Sequence, residues 1–113
     1  MAQSDRIPVS HVATQNFEPY LSAGQPFGEV HWLRIGAAGE GVLYTGLWKH
    51  GCATFDYVFP GDETFQVLEG AVSITVGDQT VHLGPGDLVS FAKGQASTWA
   101  ITSPLKKFFV ISG

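Results

Sequence analysis

The sequence holds one cysteine, Cys52, among 113 residues. An intrachain disulfide is therefore excluded, and so is a zinc site built from clustered thiolates. A lone thiol suits a reducing compartment. Charge is also scarce: charged residues make up 14%, and six Lys and Arg face ten Asp and Glu, for a net charge of −4. That shortage of cations argues against nucleic acid as a partner, because backbone phosphates demand a basic face. No apolar run approaches the roughly 20 residues of a membrane helix. The opening MAQSDRIPVS lacks the apolar segment of a secretory leader. The expectation is a cytoplasmic chain without membrane or nucleic-acid partners. No window shows a 3.6-residue apolar period with caps, so no long helix is expected.

What is plentiful is punctuation. Fourteen Gly and six Pro imply many turns and short elements. From Val30 onward the segments VHWLRIG, VLYTGLWKH, CATFDYVF, TFQVLEG, AVSITV and TVHLG alternate with turn signals such as PGDE, GDQ and GPGD. LVSFAKGQASTWAITS and LKKFFVIS, divided at Pro104, supply the last strands. Apolar and aromatic residues broken every 8–12 residues or so by turns read as an all-β sandwich or barrel. Residues 1–28 differ. FEPYLSAGQPFGE has no period and reads as an N-terminal arm laying Phe17, Tyr20 and Phe27 on a single domain of residues 29–113.

Two stretches carry a resemblance. FDYVFPGDETFQVLEG and GPGDLVSFAKGQASTW resemble the first and second motifs of the cupin superfamily, over about Trp48–Val110. Their details look most like a small single-domain branch that includes (S)-ureidoglycine aminohydrolase and the ethanolamine-utilisation cupin protein. The resemblance implies a double-sheet jelly-roll β-barrel. In metal-binding cupins these motifs carry three histidines and a glutamate. Here Asp56, Val58 and Ser97 stand at the histidine positions, and Glu63 keeps the glutamate. His11, His31, His50 and His82 fall elsewhere, so the expectation is no metal of the usual cupin type. A divalent metal at Glu63 and Asp56 is the alternative.

The strand Thr54–Phe59 leaves its orientation open. One face carries Thr54, Asp56 and Val58; the other carries Phe55, Tyr57 and Phe59. Hydrophobicity alone turns the aromatic row inward, whereas the register implied by the resemblance turns Asp56 inward and the rings outward. A slip of one residue exchanges the two. The cupin register is adopted here. It puts Asp56, Val58, Glu63, Phe65, Val67, Ser97 and Trp99 around an apolar chamber suited to a small molecule. It also leaves Phe55, Tyr57 and Phe59 to be covered, by a homodimer partner or alternatively by the N-terminal arm.

In that chamber Asp56 and Glu63 form a candidate catalytic acid–base pair. The alternative is that both carboxylates only satisfy backbone N–H groups of the PGDE turn. Val58, Phe65, Ser97, Trp99 and Trp48 are the candidate ligand-binding residues. The functional expectation is a small-molecule-binding cupin without an assigned reaction. The alternative is a metal- or carboxylate-dependent hydrolase or lyase acting on a ureide, an amino-acid derivative or a sugar. Cys52 is read as a small buried hydrophobe, Lys106 and Lys107 as a solvated edge, His82 as a surface residue and Asp87 as a turn residue.

Overall fold

The structure, a computed structural model, describes residues 6–113. Eight antiparallel strands make up the fold: β1 (Glu18–Ser22), β2 (Gln25–Ala38), β3 (Gly41–His50), β4 (Ala53–Val58), β5 (Asp62–Val76), β6 (Gln79–Leu83), β7 (Leu88–Phe91) and β8 (Ala96–Ser112). The described residues contain no helix, and hence none long and apolar enough to cross a membrane.

The long strands β5 and β8 pair along their whole length and pass through both layers of the fold. In one layer, the first part of β5 and the last part of β8 carry β7 on one side and β3, β2 and β1 on the other. In the other layer, the second part of β5 carries β6, and the first part of β8 carries β4. The corner falls at a run of register shifts between Val67 and Val72. Such bulges bend a strand and raise its local twist. Gly70 sits there at φ +88°, and a Cβ on it would lie 2.1 Å from the Pro104 carbonyl oxygen. Only glycine meets both demands. This is the jelly-roll arrangement anticipated above, but strand pairing does not close into a barrel; it runs openly from β1 to β6.

Two boundaries expected from turn signals are absent. TFQVLEG and AVSITV are one strand, and Pro104 lies inside β8 instead of dividing two strands. Part of the anticipated arm is also sheet: β1 begins at Glu18 and pairs with β2, which begins at Gln25. The core lies between the layers, with Val30, Trp48, Phe65, Val67, Val72, Ile74, Trp99, Ile101, Leu105 and Phe109 buried.

The orientation of β4 is the reverse of the one adopted from the resemblance. Phe55 and Tyr57 are half-buried and Phe59 is 1% exposed, whereas Thr54, Asp56 and Val58 face solvent, Val58 at 61%. The physical reason is the apolar payload: three rings gain far more from burial than Thr, Asp and Val would. The rings pack on Trp99, Phe91 and, across the layers, Phe27 of β2, whose ring lies 4.9 Å from Phe55 and 5.9 Å from Tyr57. Phe27, from the N-terminal region, covers part of the row from within the same chain. A homodimer through Phe55, Tyr57 and Phe59 loses its basis, because those rings are inside the protein.

Candidate ligand site

Between the layers lies a cavity of about 500 Å³. All three tryptophans, Trp32, Trp48 and Trp99, line it, with Tyr20, Tyr44, Tyr57, Phe27, Phe55 and Phe109. Two charged side chains are set into this aromatic wall, Glu63 and Lys107.

Local strand geometry brings these two together. Glu63, Phe65 and Val67 alternate inward on β5, as expected, and Leu105, Lys107 and Phe109 alternate inward on β8. Lys107 pairs with Val67, and Phe65 pairs with Phe109 between there and Glu63. The lysine stem passes these rings and its ammonium donates to Glu63 Oε2 at 2.5 Å. Lys107 Nζ lies 4.3 Å from the ring centroid of Phe65, 4.9 Å from that of Trp99, 5.0 Å from that of Trp48 and 5.8 Å from that of Phe109. Ring faces attract a cation, so this cage offsets part of the cost of removing the ammonium from water. Lys107 is 5% exposed, which corrects its reading as a solvated edge residue.

Glu63 is 1% exposed, and its second oxygen, Oε1, has no hydrogen-bond partner among the described residues. A buried acceptor left unpaired costs roughly 1–3 kcal/mol, more when charged, so this atom is the chemically conspicuous one in the cavity. Its charge reaches the tyrosines. Burial, then Glu63, then Tyr44 raise the Tyr20 phenol above its ordinary value of 10.0. Burial, then Glu63, then Tyr20 raise that of Tyr57 further. Both hydroxyls stay protonated at neutral pH, as donors.

The remaining candidates separate clearly. Trp48 and Trp99 line the cavity. Phe65 is buried against Trp99 and Phe91 and forms part of the cage under Lys107. Ser97 is buried but committed: its hydroxyl donates to the Tyr57 carbonyl at 2.6 Å and accepts from Trp99 Nε1 at 3.0 Å. It positions Trp99 and leaves the cavity wall to others. Trp48 is fixed by donating Nε1 to the Phe27 carbonyl at 2.9 Å. Asp56 and Val58 lie outside. Asp56 accepts from Thr98 across the strand pair, on the solvent face. The acid–base pair of Asp56 and Glu63 therefore does not form, since the two lie on opposite faces of the sheet. Sequence reading missed Lys107, Tyr20, Tyr57, Phe27, Trp32 and Tyr44 as cavity residues. The alternation Leu105–Lys107–Phe109–Ile111 was the available signal for the lysine.

Other expectations resolve at the surface. His82 is exposed and bonded to Ser73, and Asp87 accepts from the Gly84 amide within its own turn. Cys52 is exposed, not buried. His31 bonds to Ser10 and the Asn16 carbonyl, and His50 packs on Trp48 and Phe55.

The donor set around Glu63 does not fit a metal of the cupin type. No three His, Cys, Asp or Glu gather among the described residues. One oxygen of the Glu63 carboxylate is taken by the Lys107 ammonium, and aromatic rings surround that ammonium. A metal shared by Glu63 and Asp56 fails on the same facing of β4.

A two-layered antiparallel jelly roll with a cavity between its layers is the architecture of the cupin class. Residues 37–109 match the family described as EutQ-like cupin domain, and the chain belongs to that family. A DUF861 family protein from Thermotoga maritima is 32% identical, over 57% of this chain and 75% of its own, with a TM-score of 0.55. The EutQ protein of Clostridium difficile is 21% identical, over 80% of this chain and 73% of its own, with a TM-score of 0.61. A putative ethanolamine utilization protein Q from Salmonella typhimurium is 17% identical, over 85% of this chain and 93% of its own, with a TM-score of 0.58. At the last two identities the likeness is one of fold. A comparison with curated proteins gives no match.

Proposed function

We infer that the protein binds a small organic molecule between its layers, its flat body held by aromatic walls and one polar group directed at Glu63. The observation that carries this reading is Glu63 Oε1, a buried acceptor without a partner at the edge of a roughly 500 Å³ cavity. Buried polar atoms in folded proteins are nearly always paired, and a ligand donor would complete this one. Pockets of this volume, mostly apolar with a few polar groups, are the usual make-up of small-molecule sites. The aromatic walls favour stacking on a planar group. A thermal-shift screen of planar metabolites tests the reading, repeated on Ile111→Trp, which fills the cavity from its wall. Hits should disappear in that variant while its circular dichroism stays unchanged. Hits that persist would place binding elsewhere.

A further inference from the structure

The Glu63–Lys107 pair offers more than one unmatched acceptor. An ammonium carries three donors, and Lys107 gives one of them to Glu63 Oε2. The others have no hydrogen-bond partner among the described residues, and four aromatic rings lie around the ammonium. Both residues line the same cavity. The pair therefore presents a donor beside an acceptor, and its charges sum to zero.

We propose that this pair reads a neutral amide-like group, in which a carbonyl oxygen and an N–H sit side by side. The inference rests on the small-molecule reading above and specifies its chemical class: a carboxamide, lactam or urea on a flat or aromatic body. The carbonyl oxygen accepts from Lys107 Nζ, and the N–H donates to Glu63 Oε1. A carboxylate would set its charge against Oε1 and bring a net negative charge into an aromatic cavity. A cation would meet Lys107 in the same way. Either leaves an uncompensated charge away from water. A hydrocarbon of the same shape would leave both polar groups unpaired. Glu63, which keeps the glutamate of the first motif, is already neutralised by a cation supplied by the chain itself, Lys107, so the site favours neutral polar ligands over anions.

The test compares four probes of similar shape on the unmodified protein, followed by tryptophan fluorescence: benzamide, benzoate, benzamidinium and ethylbenzene. Benzamide should bind about tenfold or more tightly than each of the others, since sites built to hydrogen-bond a ligand reject analogues that lack the group. In the double variant Glu63→Leu/Lys107→Met, benzamide should lose that advantage and ethylbenzene should gain. Equal binding of benzamide and ethylbenzene to the unmodified protein would overturn the amide inference while leaving the cavity as a binding site. A preference for benzoate or benzamidinium would overturn it as well. If none of the four binds, the small-molecule reading itself falls and the inference with it. The comparison on the unmodified protein decides the matter even where the double variant does not fold.

Discussion

Lys107 Nζ and Glu63 Oε2 form a buried, hydrogen-bonded ion pair although 44 residues separate them in the chain. One comes from the first part of β5 and the other from the last part of β8, the two strands that run through both layers. The pair ties the site to the framework, because neither partner can leave without exposing the other to an apolar cavity.

The first prediction follows from that dependence. Lys107→Met should cost roughly 3–5 kcal/mol, because it strands the Glu63 carboxylate in the interior. Glu63→Leu combined with Lys107→Met should recover most of that loss, since an apolar pair of similar volume is often as stable as a buried ion pair. Urea unfolding of the two variants measures both quantities. A loss below about 1 kcal/mol in the single variant would mean that the carboxylate finds water or another partner.

The second concerns how the wall is held. Gly28 has φ +72°, and a Cβ there would lie 2.5 Å from the Lys49 carbonyl oxygen and 2.9 Å from Trp48 Nε1. That close approach lets the indole donate to the Phe27 carbonyl. Gly28→Ala should therefore cost about 1–3 kcal/mol through backbone strain, and it should displace Trp48, seen as a shifted emission maximum. Unchanged emission and stability would show that the indole does not depend on this contact.

The facing of β4 gives the third. Asp56→Asn should change stability by no more than about 0.5 kcal/mol, as exposed substitutions usually do. Tyr57→Lys puts an ammonium among Phe27, Phe59 and Trp99 and should destabilise severely, with chemical denaturation as the readout. The opposite ranking would restore the register in which Asp56 faces inward.

That strand also shows what the sequence could and could not reveal. Strands, most turns and the inward faces of β5 and β8 near Glu63 and Trp99 were legible from period-two alternation. On β4 the same alternation pointed the aromatic row inward, and hydrophobicity ranked it correctly. The error came from preferring aligned motif positions, which place Asp56 where a metal-binding relative has histidine. A motif position transfers a chemical role only if the residue there still has a reason to face inward, and an aspartate without a metal has none. Lys107 was misread for a different reason. A lysine in LKKFFV looks like an edge charge until its partner is known, and that partner lies 44 residues away. Phe27, Trp32 and Tyr44 escaped because β2 and β3 fall largely outside the two motif stretches.

The last prediction is a pH dependence. Burial raises the Tyr57 phenol above its ordinary value of 10.0, with Glu63 and then Tyr20 adding to it. The folded state thus holds this proton more tightly than the unfolded chain does. Stability from Tyr57 is fully present below about pH 10 and is lost as pH rises past the unfolded value toward the folded one. Urea midpoints should accordingly fall as pH rises above about 10, and Tyr57→Phe should shallow that fall without abolishing it. Tyr20, raised by burial and then by Glu63, contributes a slope of the same sign. A Tyr57→Phe protein whose alkaline slope matches the unmodified one would mean that the phenol titrates in water, and that Tyr57 does not face Glu63 across the cavity.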